Sequence, residues 1–105
     1  MMLYVIGPVT GRPDENFEAF GEASDELLGA GYHACIPHEF VAKGDAWPDA
    51  MRDSIHALTG DRPAFDGVAL LDGWDQSKGA CLERVVAEAC GIPCKTVGEW
   101  LEDAR

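Results

Sequence analysis

Positively charged residues are scarce in this sequence: 8 Lys and Arg stand against 19 Asp and Glu, for a net charge of −11. Proteins that bind DNA or RNA polymers need a basic surface to displace counterions, and an anionic membrane surface makes the same demand. The balance here argues against both. It leaves room for a small nucleoside or nucleotide held by local donors. No apolar run reaches the length of a membrane span. The three histidines (His33, His38, His56) lack finger spacing, and the four cysteines (Cys35, Cys81, Cys90, Cys94) form no CxxC pair. Neither a structural zinc nor a disulfide framework is therefore expected. No signal-like segment opens the chain, so reduced thiols and a cytoplasmic location are expected. Internal repeats and low-complexity tracts are also missing.

What remains is an ordinary globular composition, 47% hydrophobic and 26% charged over 105 residues, which is the size of one domain with one core. The short apolar run Leu3–Ile6 reads as a buried strand. Phe17, Phe20, Ala23, Leu27 and Leu28 recur at helical spacing, with Asp14 or Asn16 as a cap and Gly29-Ala30-Gly31 as the stop. Tyr32–Ile36 is a second strand, and residues 37–47 are irregular. Pro48 starts a helix whose face is Met51, Ile55 and Leu58, and Gly60-Asp61-Arg62-Pro63 breaks it. Val68–Leu71 is a third strand, and Ser77 caps a helix running to Cys90. Cys94–Val97 is a fourth strand, and residues 98–104 form a terminal helix. Alternating strands and helices predict an α/β fold: a small flavodoxin-like, half-Rossmann domain with helices on both faces of a parallel sheet in order 2-1-3-4. Ligands of such sheets sit at the carboxyl ends of the strands where the order reverses. That point is the crevice between strands one and three, flanked by the loops Gly7–Glu15 and Asp72–Gly79.

The first of these loops, Gly7-Pro8-Val9-Thr10-Gly11, is neither a GxGxxG fingerprint nor a GxxxxGK[ST] phosphate loop. Its glycines suit a tight turn or a close approach of backbone to ligand. Glu83 flanks the apolar stripe Leu82, Val85, Val86, Ala89 and Cys90, and no basic residue lies three or four positions away. It is either a boundary residue with its head in water or a carboxylate aimed into the crevice. Asp53 is a solvated helix residue or a functional one. Asp72 either points at the crevice or closes an Asx turn. Tyr4 packs in the core or serves the site, and Trp74 covers either a ligand or the core. His38 reads as a loop residue, Arg84 and Glu88 as a solvent-facing pair, and Asp66 as structural. Arg12 and Lys78 are the basic groups of the two crevice loops, too few for a polyphosphate.

The stretches YVIGPVTGRPDENFEAF, MRDSIHALTG, FDGVALLDGW and SKGACLERVVAEACGIP resemble a small phage and bacterial domain family of uncharacterised function, itself similar to nucleoside 2-deoxyribosyltransferases. The resemblance spans nearly the whole chain. It implies cleavage or transfer of the N-glycosidic bond of a (2-deoxy)nucleoside or nucleotide. In that chemistry a carboxylate captures C1 of the sugar as a covalent glycosyl-enzyme. An acid near the base assists departure, and neither metal nor cofactor takes part. The resemblance places the nucleophile at Glu83, its supporting Tyr at Tyr4 and the acid at Asp53. It implies that the first loop holds the base and sugar edge, which makes Gly7, Pro8, Thr10 and Gly11 candidate substrate contacts together with Ser77, and Asp72, Trp74 and Gly79 are candidates by their place in the second crevice loop. Thr10 stands where nucleotide-cleaving members carry a phosphate-binding Arg. The resemblance further implies a homodimer or larger homo-oligomer. The rival reading is a module that binds or sequesters a nucleotide-derived ligand in the same crevice without turnover, and a third is a purely structural protein.

Overall fold

The computed structural model describes all 105 residues. Four parallel strands, β1 (Met2–Ile6), β2 (His33–Cys35), β3 (Gly67–Leu70) and β4 (Cys94–Thr96), form one sheet in the order β2-β1-β3-β4. This is the predicted α/β architecture. The helices are α1 (Phe17–Gly29), α2 (Trp47–Thr59), α3 (Lys78–Ala89) and α4 (Val97–Asp103). Most boundaries fall within one or two residues of those read from the sequence, as helix and strand ends do. No helix is long and apolar enough to cross a membrane.

β1 explains the layering. Leu3, Tyr4, Val5 and Ile6 are all buried, and successive side chains of a strand point to opposite faces. Leu3 and Val5 join Phe20, Ala23 and Leu27 of α1 and Trp100 of α4 in one core cluster. Tyr4 and Ile6 join Leu58 of α2 and Ala87 of α3 in the other. The helices thus divide between the two faces, α1 and α4 on one and α2 and α3 on the other, and the site lies on the second.

Two local expectations are corrected. Asn16 holds the N-cap position of α1 but does not cap it; its side-chain amide donates to the Pro8 carbonyl at 2.9 Å. Asp14, Glu15 and Asn16 all adopt left-handed backbone, a strained conformation for residues with a Cβ. The Asn16 bond ties this turn to the first loop. The second correction concerns α3. Its buried face is Ala80, Glu83 and Ala87, while Leu82 and Val85 are exposed. The small side chains let α3 lie close to the sheet, and the bulkier apolar residues are turned outward. Ser77 caps α3 as expected, its Oγ accepting from the Ala80 N–H at 3.2 Å.

α4 closes the opposite face. The Trp100 indole N–H donates to the Val68 carbonyl at 2.8 Å, and its backbone carbonyl accepts from the Tyr32 hydroxyl at 2.8 Å. Its ring packs against Gly67, where a Cβ would come to 2.5 Å from Cζ2 of the ring.

Candidate active site

A cavity of about 360 Å³ opens beyond the carboxyl end of β1, between the first loop, α2 and the start of α3. Its size and mixed lining suit one small molecule. Glu83 forms part of its wall. The residue is only 7% exposed, so its carboxylate has been taken out of water. Oε2 accepts a short hydrogen bond from the Ser54 hydroxyl. Ser54 Oγ in turn lies 2.7 Å from the Tyr4 hydroxyl. Ser54 spends its one proton on Glu83, so Tyr4 is the donor of the second bond. The result is a buried relay, Tyr4 to Ser54 to Glu83. Oε1 of Glu83 makes no hydrogen bond to protein and is not sealed off from the cavity.

Burial raises the Glu83 carboxyl from 4.5 to about 7, and the Ser54 hydrogen bond offsets part of that rise. Glu83 therefore holds its proton to higher pH than an exposed carboxylate does, a perturbation typical of functional sites. Burial also pushes the Tyr4 phenol well up, with the nearby Glu83 charge adding to the effect. Tyr4 therefore stays protonated and acts as a donor.

Several sequence candidates reach the cavity: Gly7, Thr10, Ser77, Gly79 and Glu83 line it. Tyr4 does so indirectly, through Ser54. Pro8 lines an adjoining cleft with Arg12 and Lys78. Gly11 and Asp72 are exposed and line neither space. Trp74 is not in the cavity; it packs on the α2–α3 side core, with the Arg84 guanidinium 5.2 Å from its ring centre. Asp53 is exposed and also outside the cavity. The reason is helix phase. Trp47, Ala50, Met51 and Ser54 form the inward stripe of α2, and a step of one residue turns a side chain by about 100°.

Ser54, Trp47 and His38 are among the wall residues that the sequence did not assign to the site. Ser54 carried a usable signal, being a polar residue on the same helical face as Met51 and Leu58. His38 donates from Nε2 to the Glu15 carbonyl at 2.8 Å, and so holds the left-handed turn against the cavity wall.

Residues 1–96 match the family model described as Domain of unknown function (DUF4406). The chain belongs to this family. The DUF4406 match takes in every wall residue named above, and it stops short of α4, Trp100 included. No curated protein matches the chain.

Gly7 of this DUF4406 chain settles the role of the first glycine. A Cβ there would meet Leu71 Cβ at 2.7 Å, so the missing side chain is needed for packing behind the loop. The cavity receives the Gly7 backbone as a by-product of that close approach. Gly7→Ala is accordingly expected to destabilise the fold by about 1–3 kcal/mol through overpacking, read as a lower urea midpoint.

Proposed function

We propose that this protein cleaves or transfers the N-glycosidic bond of a nucleoside, with Glu83 as the covalent nucleophile. The observation that carries the reading is Glu83 itself: a buried carboxylate, one oxygen tied by a hydroxyl relay and the other free toward a small-molecule cavity. In the first half-reaction Glu83 bonds to C1 of the sugar as the C1–N bond breaks. The base leaves with the electron pair and takes up a proton from water. In the second, water or another base attacks C1, the Glu83–sugar ester bond breaks, and the carboxylate is restored. Water gives hydrolysis and a base gives transfer.

An uncharged nucleoside suits the cavity better than its 5-monophosphate. Lys43, the cation in the wall, is already paired with Asp14 at 2.9 Å. The adjoining cleft does carry Arg12 and Lys78, so monophosphates belong in the test. The second reading, ligand binding without turnover, draws on the placement of Asp53. With that side chain in solvent, the carboxylates that remain in the wall opposite Glu83 are Asp14, paired with Lys43, and Glu15, and neither stands where the resemblance places the acid.

The test is a chromatographic screen for base release from deoxynucleosides, ribonucleosides and their 5-monophosphates. Release by the wild type and none by Glu83→Ala is the expected result. Thermal stabilisation by a nucleoside without release would favour the binding module, and neither signal would sink both readings.

A further inference from the structure

We propose that Ser54 is the positioning residue for Glu83, holding Oε2 so that Oε1 is the oxygen presented to the cavity. This inference rests on the reading of Glu83 as the nucleophile, but its principal test does not require turnover.

Three facts of geometry carry it. Ser54 is buried, on the inward stripe of α2, and has both its partners within the protein. The two bonds run in one direction. The Ser54 proton goes to the carboxylate, and the Ser54 lone pair accepts from Tyr4. Tyr4 is fixed in its turn by strand β1 and by the rings of Phe65 and Phe40, with centroids at 5.0 and 6.0 Å. A flexible Glu side chain is thus anchored through Ser54 to β1, a central strand paired on both sides.

The relay also has a preferred direction. With Glu83 ionised, every hydrogen in it has an acceptor. With Glu83 protonated on Oε2, the carboxyl would donate to Ser54 and Ser54 to Tyr4. The Tyr4 hydrogen would then have nowhere to go, since Tyr4 makes no other hydrogen bond. A proton on Oε1 would leave the relay intact, but an ionised carboxylate accepts the Ser54 bond more strongly than a neutral carboxyl does, so Ser54 favours the anionic form, against the burial that disfavours it. Ser54 from α2 touches Glu83 directly, and Tyr4 from β1 reaches it through Ser54. Asp14, Glu15, His38 and Lys43 face it across the cavity.

The experiment follows the Glu83 carboxyl by NMR in protein labelled with ¹³C-glutamate, with the resonance assigned by its loss in Glu83→Gln. Ser54→Ala is expected to raise the titration midpoint by about one pH unit, the effect of losing one hydrogen bond to a carboxylate. Ser54→Thr keeps the hydroxyl and should stay near wild type. Tyr4→Phe should raise the midpoint by less than Ser54→Ala, because Ser54 still donates; it serves as the test if Ser54→Ala does not fold. An unchanged or lowered midpoint in these two removals overturns the proposal.

Where base release is detected, Ser54→Ala should lower kcat by about fivefold at neutral pH with KM held, and the deficit should shrink as pH rises. A deficit that is the same at every pH would mark Ser54 as merely structural. If no substrate is turned over, the proposed function fails while the NMR titration still decides the role of Ser54.

Discussion

Glu83→Gln is expected to make the protein more stable at alkaline pH and to abolish base release. The folded-state midpoint of Glu83, about 7, lies above its ordinary value of 4.5. Between those values the native protein binds more protons at this site than the unfolded chain does, so stability falls as pH rises through the interval. Above the folded midpoint the full penalty applies, on the order of 3 kcal/mol. Gln is neutral throughout and keeps an oxygen to accept from Ser54, so it escapes the penalty. Urea unfolding should show the variant well above wild type at pH ~8 and close to it at pH ~4, where the carboxyl is protonated in both states. The corresponding gain in Tm is on the order of 10 °C for a domain of this size. Base release should fall by more than ~1,000-fold, because a neutral amide cannot capture C1. Equal stability of the two proteins at alkaline pH would mean that Glu83 does not bear the cost that its burial implies. A destabilised functional group of this kind is what an active site retains and selection for stability alone would remove.

Trp100→Ala is expected to cost about 3–5 kcal/mol, a large part of the stability of a domain this small. Trp100 is 4% exposed and fills the space over Gly67 that no side chain of β3 occupies. Its removal leaves a cavity between α4 and the sheet and deprives the Val68 carbonyl of its indole donor. The Tyr32 ring, 5.8 Å away in an edge-to-face arrangement, loses its partner as well. The effect should appear as a fall in the urea midpoint with little change in the Glu83 titration, since Trp100 and Glu83 lie on opposite faces of the sheet. Wild-type stability in this variant would show that α4 contributes little to the core.

The sheet was legible because its central strands are continuous apolar runs, as strands buried on both faces must be. Strand order and the crevice between β1 and β3 followed from the alternation of strands with helices. The orientation of α3 did not follow. Leu82 and Val85 form a stronger apolar stripe than Ala80 and Ala87, yet the space beside the sheet admits only small side chains and one carboxylate with a hydroxyl partner. Periodicity identifies a helix, whereas its rotation is decided by volume and by where a buried acid finds a donor. The same limit separates Asp53 from Ser54. The resemblance points to the carboxylate, while the phase of α2 gives the cavity to the hydroxyl. Trp74 shows the reverse case, where a loop position near the crevice in sequence turns its ring onto the core.

The covalent step can be observed directly. Wild-type protein is mixed with the nucleoside that releases base, quenched in acid within the first turnovers, and analysed as intact protein and as peptides by mass spectrometry. A mass increase of one sugar residue, located on Glu83 and missing in Glu83→Gln, is the predicted result. Base release with no adduct on Glu83, or an adduct on another side chain, would contradict the assignment of Glu83 as the nucleophile.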